Sequence, residues 1–289
     1  MLRKAVLVIL AVALIVFSVG TANAYMVDGL RSGSAYFGVT PFVNPGGLGD
    51  GLYYGYFNVR GNLNLFNIIN TSSTDGVKVR IVFREGKDSN EILDFSICLS
   101  LGDVWTAYLA DDGTAGRIYG GVDTDTITAP DVTSAGQQFK YGSANSNKHI
   151  DGTSLTADDT KEGYFEVISL SAIPNYDKNA SSTSACTYGG SKANCIRSAT
   201  DCANWGATLS VNTPDPENVI MGNNTIFENA SLYGTYSYNA VAIADALYAY
   251  ADPGPGSELS IITNMTSGCD VMDLILNKEK ILSPYDILA

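Results

Sequence analysis

The chain has 289 residues, a formal charge of −13, 45 % apolar residues and 16 % charged ones. It is too apolar to be wholly disordered, long enough for one large core, and too acidic to hold a phosphate backbone by bulk charge, so nucleic acid is not an expected partner. Its one histidine, His149, excludes zinc sites built on two histidines and leaves a single Ser–His or Cys–His pairing.

Residues Met1–Ala24 read as a secretory signal. Arg3 and Lys4 start it, Ala5–Val19 is an almost unbroken apolar run, and Ala22-Asn23-Ala24 is a small-x-small cleavage site. The run is shorter than the ~20 residues a membrane span needs. The expected mature chain begins at Tyr25, with no transmembrane span, and is exported to the cell surface, the extracellular space or the periplasm.

Tyr36–Val43 is an apolar and aromatic strand, followed by the glycine loop Pro45–Gly51. Leu52–Arg60 and Leu63–Asn70 read as a hairpin around Arg60-Gly61-Asn62, although the second strand is apolar on parts of both faces. Val77–Arg84 alternates most cleanly. Val77, Val79, Ile81 and Phe83 face one way, and Lys78, Arg80, Val82 and Arg84 the other. Glu91–Ser100 repeats the pattern after the Glu85–Asn90 turn, with Leu93, Phe95, Ile97 and Leu99 opposed to Asp94, Ser96 and Cys98. These two strands predict an antiparallel layer with a dry side and a wet side. Basic residues on the wet side of the first meet acidic ones on the second, a pairing worth only ~0.2–1 kcal/mol.

Asp103–Ala110 is a further strand. Residues from Asp111 to about Glu162 form a long polar excursion with short strands near Arg117–Tyr119 and Gln138–Tyr141, and the abundance of small polar residues implies exposure. Gly163–Ile173 returns to strand character. Asn194–Ala203 reads as a short helix, Asn218–Glu228 and Leu232–Tyr238 as a hairpin, Ala240–Tyr250 as an Ala-rich helix, Leu259–Thr263 as a strand and Cys269–Lys280 as a helix. A one-faced sheet needs a second layer. The expected fold is therefore mainly β: one elaborated antiparallel β-sandwich over residues 25–289, Ig-like or jelly-roll-like, with long loop insertions and two or three short helices.

Export permits disulfides. The cysteines are Cys98, Cys186, Cys195, Cys202 and Cys269. In a helix Cys195 and Cys202 would lie about 10.5 Å apart along the axis, beyond the ~7 Å limit for bonding each other. Cys186, Cys195, Cys202 and Cys269 are then the disulfide candidates, and Cys98 is left as a buried thiol. A calcium ion needs 6–8 oxygen ligands. Among the acidic loop pairs Asp111-Asp112, Asp123-Thr124-Asp125 and Asp158-Asp159, Asp123 and Asp125 are the best candidates, against a plainly solvated acidic face. No catalytic residue stands out. Glu162 and Glu166 are the nearest to a carboxylate pair, and no Gly-x-Ser-x-Gly elbow occurs. Asn70, Asn179, Asn223, Asn229 and Asn264 head Asn-x-Ser/Thr sequons. The cluster Tyr53-Tyr54-Gly55-Tyr56 suits either a contact surface, carried by Tyr53, Tyr54 and Tyr56, or the aromatic core of the sandwich.

The strings Phe66–Ser72, Val79–Glu85, Ser89–Phe95 and Leu99–Ala107, with a second match at Glu162–Ile168, carry a further signal. In these the chain resembles a family of uncharacterised secreted or cell-surface proteins of Gram-negative bacteria. The resemblance implies export and a β-rich body, brings no catalytic or ligand residue, and implies relatives that continue beyond the equivalent of Ala289.

Together these readings predict a non-enzymatic extracellular or cell-surface structural or interaction protein. It would assemble with its own kind, or with other surface proteins, through the arm Tyr25–Gly51, whose strand could add to an open sheet edge, the simpler alternative being that this strand pairs within its own domain. The alternatives are a carbohydrate-binding or adhesion module, with or without calcium, and a secreted glycoside hydrolase using a carboxylate pair.

Overall fold

Alternating β-branched and aromatic residues dominate Leu52–Ala110 and Gly163–Ile173, and both stretches are built of strands. The structure, a computed structural model, describes residues 42–121, 126–129, 132, 134–174, 196, 198–204, 218–228 and 234–244. Its strands are β1 (Phe42–Val43), β2 (Gly51–Asn58), β3 (Asn62–Asn70), β4 (Asp75–Glu85), β5 (Glu91–Leu99), β6 (Val104–Asp111), β7 (Gly116–Gly120), β8 (Ile127–Ala129), β9 (Gln137–Gln138), β10 (Glu162–Pro174), β11 (Ile220–Glu228), β12 (Gly234–Asn239) and β13 (Val241–Ala244). One α-helix, α1 (Ala199–Asn204), and two 3₁₀ turns, Gly142–Ala144 and Asp159–Lys161, complete the described elements.

The strands form two antiparallel sheets. The seven-stranded sheet runs β1-β13-β2-β10-β4-β5-β8 and the six-stranded sheet β12-β11-β3-β6-β7-β9. Their inner faces share one core. Val77, Val79, Ile81 and Phe83 of β4 and Leu93, Phe95, Ile97 and Leu99 of β5 meet Phe66 and Ile68 of β3 and Trp105, Ala107 and Leu109 of β6. Aromatic rings bridge the layers. Phe66 lies 4.8 Å from Phe165 and 6.2 Å from Phe83, and Phe95 lies 6.0 Å from Trp105, between ring centres. The fold is thus the expected mainly-β sandwich.

The β4–β5 hairpin puts the two expected apolar rows on one face, pairing Val77 with Leu99, Val79 with Ile97, Ile81 with Phe95 and Phe83 with Leu93. Its other face is not wet. Lys78, Arg80, Arg84, Asp94 and Ser96 are all buried, as are Glu166, Tyr53 and Tyr164 on the neighbouring strands. The charges sit together there, Arg80 against Asp94 and Arg84 against Glu166 (3.8 Å). At one end α1 covers the face. Lys78 Nζ donates to Ala203 O (3.1 Å), and Cys98, Ile127, Ala129, Ile173, Ile196 and Cys202 form a second small core. Ser198 caps α1, accepting from the Asp201 backbone N–H (3.2 Å).

Three further expectations are corrected. First, β2 and β3 are not a hairpin. β2 pairs with β10 and β13, β3 with β6 and β11, and residues 59–61 carry the chain from one sheet to the other. Val59 turns into the core at this corner, and buried Asn64 replaces the missing ladder, accepting from Asn58 N (3.2 Å) and donating to Asn58 O (2.7 Å). Second, Val241–Ala244 is a strand rather than the start of a helix. Val241, Ala242 and Ile243 fill the place beside Tyr53, Leu52 and Gly51, where pairing outweighs alanine's helix preference. Third, the polar excursion is a built cap across one end of the sandwich. Phe139 and Leu155 insert into the core, Lys140 N donates to Ile92 O (2.7 Å), and Gly116 N to Thr160 Oγ1 (3.0 Å).

The last two residues of the predicted strand Tyr36–Val43, Phe42 and Val43, pair with Ala244 and Ile243 of the same chain. The predicted elements at Leu259–Thr263 and Cys269–Lys280 lie outside the described residues.

Candidate interaction surface

Among the described residues, none covers the outer side of the six-stranded sheet. Strand alternation places Leu63, Leu65, Asn67 and Ile69 of β3 there. Ladder pairing sets Met221, Asn223, Thr225 and Phe227 of β11 on one side of them and Val104, Thr106, Tyr108 and Ala110 of β6 on the other. Leu63 is 38 %, Leu65 39 % and Val104 47 % exposed.

Cross-strand contacts order this face into rows. Asn67 Nδ2 donates to Asn223 Oδ1 (3.2 Å), with Asn239 and Thr106 paired beyond them, which makes a polar row. The next row runs Ser237, Thr225, Leu65, Tyr108 and Tyr119. Tyr108 and Tyr119 stack at 4.7 Å between ring centres, and the Thr225 and Ser237 hydroxyls lie 2.9 Å apart. Among the described residues no Asp or Glu projects from these rows. Arg117 at the rim is paired with Asp112 (2.9 Å). Five strands at about 4.8 Å spacing and six residues at about 3.4 Å give a plane of roughly 400 Å².

The predicted site residues lie elsewhere. Tyr54 is in the core, stacked on Phe165 at 4.2 Å, and its hydroxyl donates to Asn67 O (2.6 Å). Burial pushes its pKa well above the ordinary phenol value. Tyr53 is buried on the opposite face of the same sheet. Neither is a surface aromatic, because β2 is covered on both sides. Tyr56 is half-buried, its hydroxyl bonded to Glu162 (3.3 Å) and Asn58 (2.9 Å). Cys202 is disulfide-bonded, and its partner is Cys98, with Cα atoms 5.9 Å apart. Cys98 is therefore not the leftover thiol, since α1 docks on the very face of β5 from which it projects. Cys186, Cys195 and Cys269, and the calcium candidates Asp123 and Asp125, lie outside the described residues.

Among the described residues no group of three or more His, Cys, Asp or Glu is placed to hold a metal. Asp112 accepts from the backbone of Thr114 and Ala115 and from Arg117 and Gln138. Burial raises its pKa, but these donors outweigh burial and hold the carboxyl at about 2. Glu162 and Glu166 sit four residues apart on β10, about 13 Å along a strand. That exceeds the reach of a glycosidase pair, and Glu166 is fully buried. Asn70 is buried, donating to Asp75 O (2.9 Å) and Ser100 O (2.8 Å), so its sequon is closed to modification. Asn223 lies on the open face, and the other three sequons lie outside the described residues.

The open face was not singled out from the sequence. Its signal was the pattern of β3, apolar in part on both faces, with Leu63, Leu65 and Asn67 alternating with Asn64, Phe66 and Ile68. No helix among the described residues is long and apolar enough to cross a membrane. A scan against protein-family models and searches of the curated proteins and of the solved structures find no match to this chain.

Proposed function

We propose that this chain is an exported, non-enzymatic structural or interaction protein that meets neighbouring copies of itself through the open face of the six-stranded sheet. The observation that carries this reading is that, among the described residues, no Asp or Glu projects from the central rows of that face, in a chain of charge −13. Like-charged copies repel where their acidic surfaces meet, and an uncharged plane with exposed Leu63, Leu65 and Val104 is where that repulsion is smallest. A plane of roughly 400 Å² is half of the ~800 Å² each partner gives to a stable standard interface. Single contacts are therefore weak, and a repeated array gains strength by valence.

The test is light scattering and electron microscopy of the chain from Tyr25, across concentration and at low and high salt. Concentration-dependent assemblies that vanish in Leu65→Glu with Thr225→Glu support the reading. A wild-type chain that stays monomeric throughout defeats it. A second reading, glycan binding, is favoured by the Asn239–Asn223–Asn67–Thr106 row beside Tyr108 and Tyr119. A glycan array with and without chelator, on wild type and on Asn67→Ala, tests that reading, and retained binding in Asn67→Ala would remove it.

A further inference from the structure

The chain's single histidine is buried, only 4 % exposed, inside the cap. Its Nδ1 lies 2.8 Å from Asp88 Oδ2 and its Nε2 3.3 Å from Asp159 Oδ2. The two carboxylates come from separate segments. Asp88 belongs to the turn between β4 and β5, and Asp159 to the 3₁₀ turn that leads into β10. A neutral imidazole has one N–H and can donate to only one of them, leaving a lone pair against the other carboxylate, whereas imidazolium donates to both.

The charged groups around the ring are Lys87 and Asp88 from the β4–β5 turn and Asp151 and Asp159 from the cap, with Lys87 and Asp151 3.8 Å apart. Glu85 of the same turn is engaged with the backbone N–H groups of Lys87, Asp88 and Asn90. His149 also holds the backbone together, its N–H donating to Thr153 O (2.9 Å) and its carbonyl accepting from Gly152 (2.8 Å). Behind it the cap closes over the core through Gly142 N to Leu155 O (2.8 Å) and Asn145 Nδ2 to Glu91 O (2.8 Å).

We propose that His149 is a proton-operated latch. Protonated, it ties the cap, residues 139–161, to the β4–β5 turn over the Phe139 and Leu155 end of the core; deprotonated, it lets the cap loosen. Burial alone lowers the imidazole pKa, but the hydrogen bonds to Asp159 and Asp88 outweigh it and raise the value above the ordinary one. A raised folded-state pKa gives stabilisation that is complete below the unfolded value of about 6.5 and is lost as pH rises through the folded one. The cap is therefore tight in acid and loose in alkali. The latch is remote in sequence and in face from Leu65 and Thr225, so it and the proposed assembly surface stand or fall separately.

One histidine means one imidazole signal set, which makes the test clean. NMR titration of His149 and amide exchange at Lys140, Gly142, His149 and Gly152, corrected for intrinsic rates, are followed from about pH 5 to about pH 9. The expected midpoint is above 6.5, the ordinary value. Cap opening should rise about tenfold for each unit by which the closed-state pKa exceeds the open-state one, while amides of β4 and β5 keep their protection. His149→Gln should remove the pH step in the cap. Should that variant not fold, Asp88→Asn, at a position with a side chain 16 % exposed, should lower the midpoint. A wild-type midpoint at or below 6.5, cap exchange without a pH step, a step that persists in His149→Gln, or a midpoint unmoved in Asp88→Asn overturns the latch.

Discussion

Replacing Asp94 by alanine distinguishes a solvated pair from a buried one. The side chains of Arg80 and Asp94 are 0 % and 1 % exposed. Arg80 also donates to Ser96 Oγ (3.3 Å), and Lys140 Nζ lies 3.9 Å from the Asp94 carboxylate. On a wet strand face such a pair contributes ~0.2–1 kcal/mol, and Asp94→Ala would be nearly silent. Inside the protein the truncation takes the carboxylate away from a fully buried guanidinium, a cost of about 3–5 kcal/mol. With a urea m-value of about 3 kcal/mol per M, the unfolding midpoint falls by roughly 1–1.7 M. Asp94→Asn keeps the shape and an acceptor oxygen and should fall between the two. Arg80→Met with Asp94→Leu removes both charges and keeps the volume. It should be more stable than Asp94→Ala alone, close to wild type. A loss under 1 kcal/mol for Asp94→Ala, or a double variant that loses the sum of its singles, would refute the buried-pair reasoning.

The bond from Cys98 to Cys202 spans 104 residues, and closing so long a loop limits the unfolded chain by about 4.7 kcal/mol in the entropic account. Cys98→Ser with Cys202→Ser should lose about 2–5 kcal/mol in denaturant, and a non-reducing peptide map should join the two segments. A map joining Cys202 to Cys186, Cys195 or Cys269 would contradict the structure. A Cβ at Gly222 would fall on the Tyr54 hydroxyl and the Asn67 carbonyl, so Gly222→Ala should cost about 1–3 kcal/mol and lower Tm by several degrees. Adding Tyr54→Phe should restore part of that loss, and no restoration would count against this contact. Asp112, held at about 2 against 3.8 for a free carboxyl, stabilises the fold above the higher value and stops doing so as pH falls through the lower. In Asp112→Asn, Tm should therefore lose part of its slope between about pH 4 and about pH 2, and an unchanged slope would contradict this.

The β4–β5 hairpin was legible because everything that specifies it is local: period-two alternation on both strands and a Gly/Asp/Asn turn between them. The β2–β3 corner was not. A local pattern marks Leu52–Asn58 and Leu63–Asn70 as strands, but not that each takes partners more than 90 residues away, in β10 and β11. The same limit misassigned the wet face. Lys78 and Arg80 read as solvated because a lone buried charge is costly, and what encloses them at one end, α1 with its disulfide, arrives a hundred residues later. In the candidate surface, an exposed Leu65 and a core Leu52 look alike in sequence. Only the pairing of β3 with β6 and β11 tells which side of the strand is left open.

The strand order also sets a timetable. A ribosome delivers β2 and β3 early, yet their outer neighbours, β13 and β11, lie past residue 218. Until that last quarter emerges, both layers stand half-assembled with bare backbone rims, and the middle place beside β4 waits for β10. Such a chain folds slowly and late. Keeping it unfolded until synthesis ends is then safer than letting it begin, and a truncation before Ile220 should yield an insoluble product rather than a smaller working one.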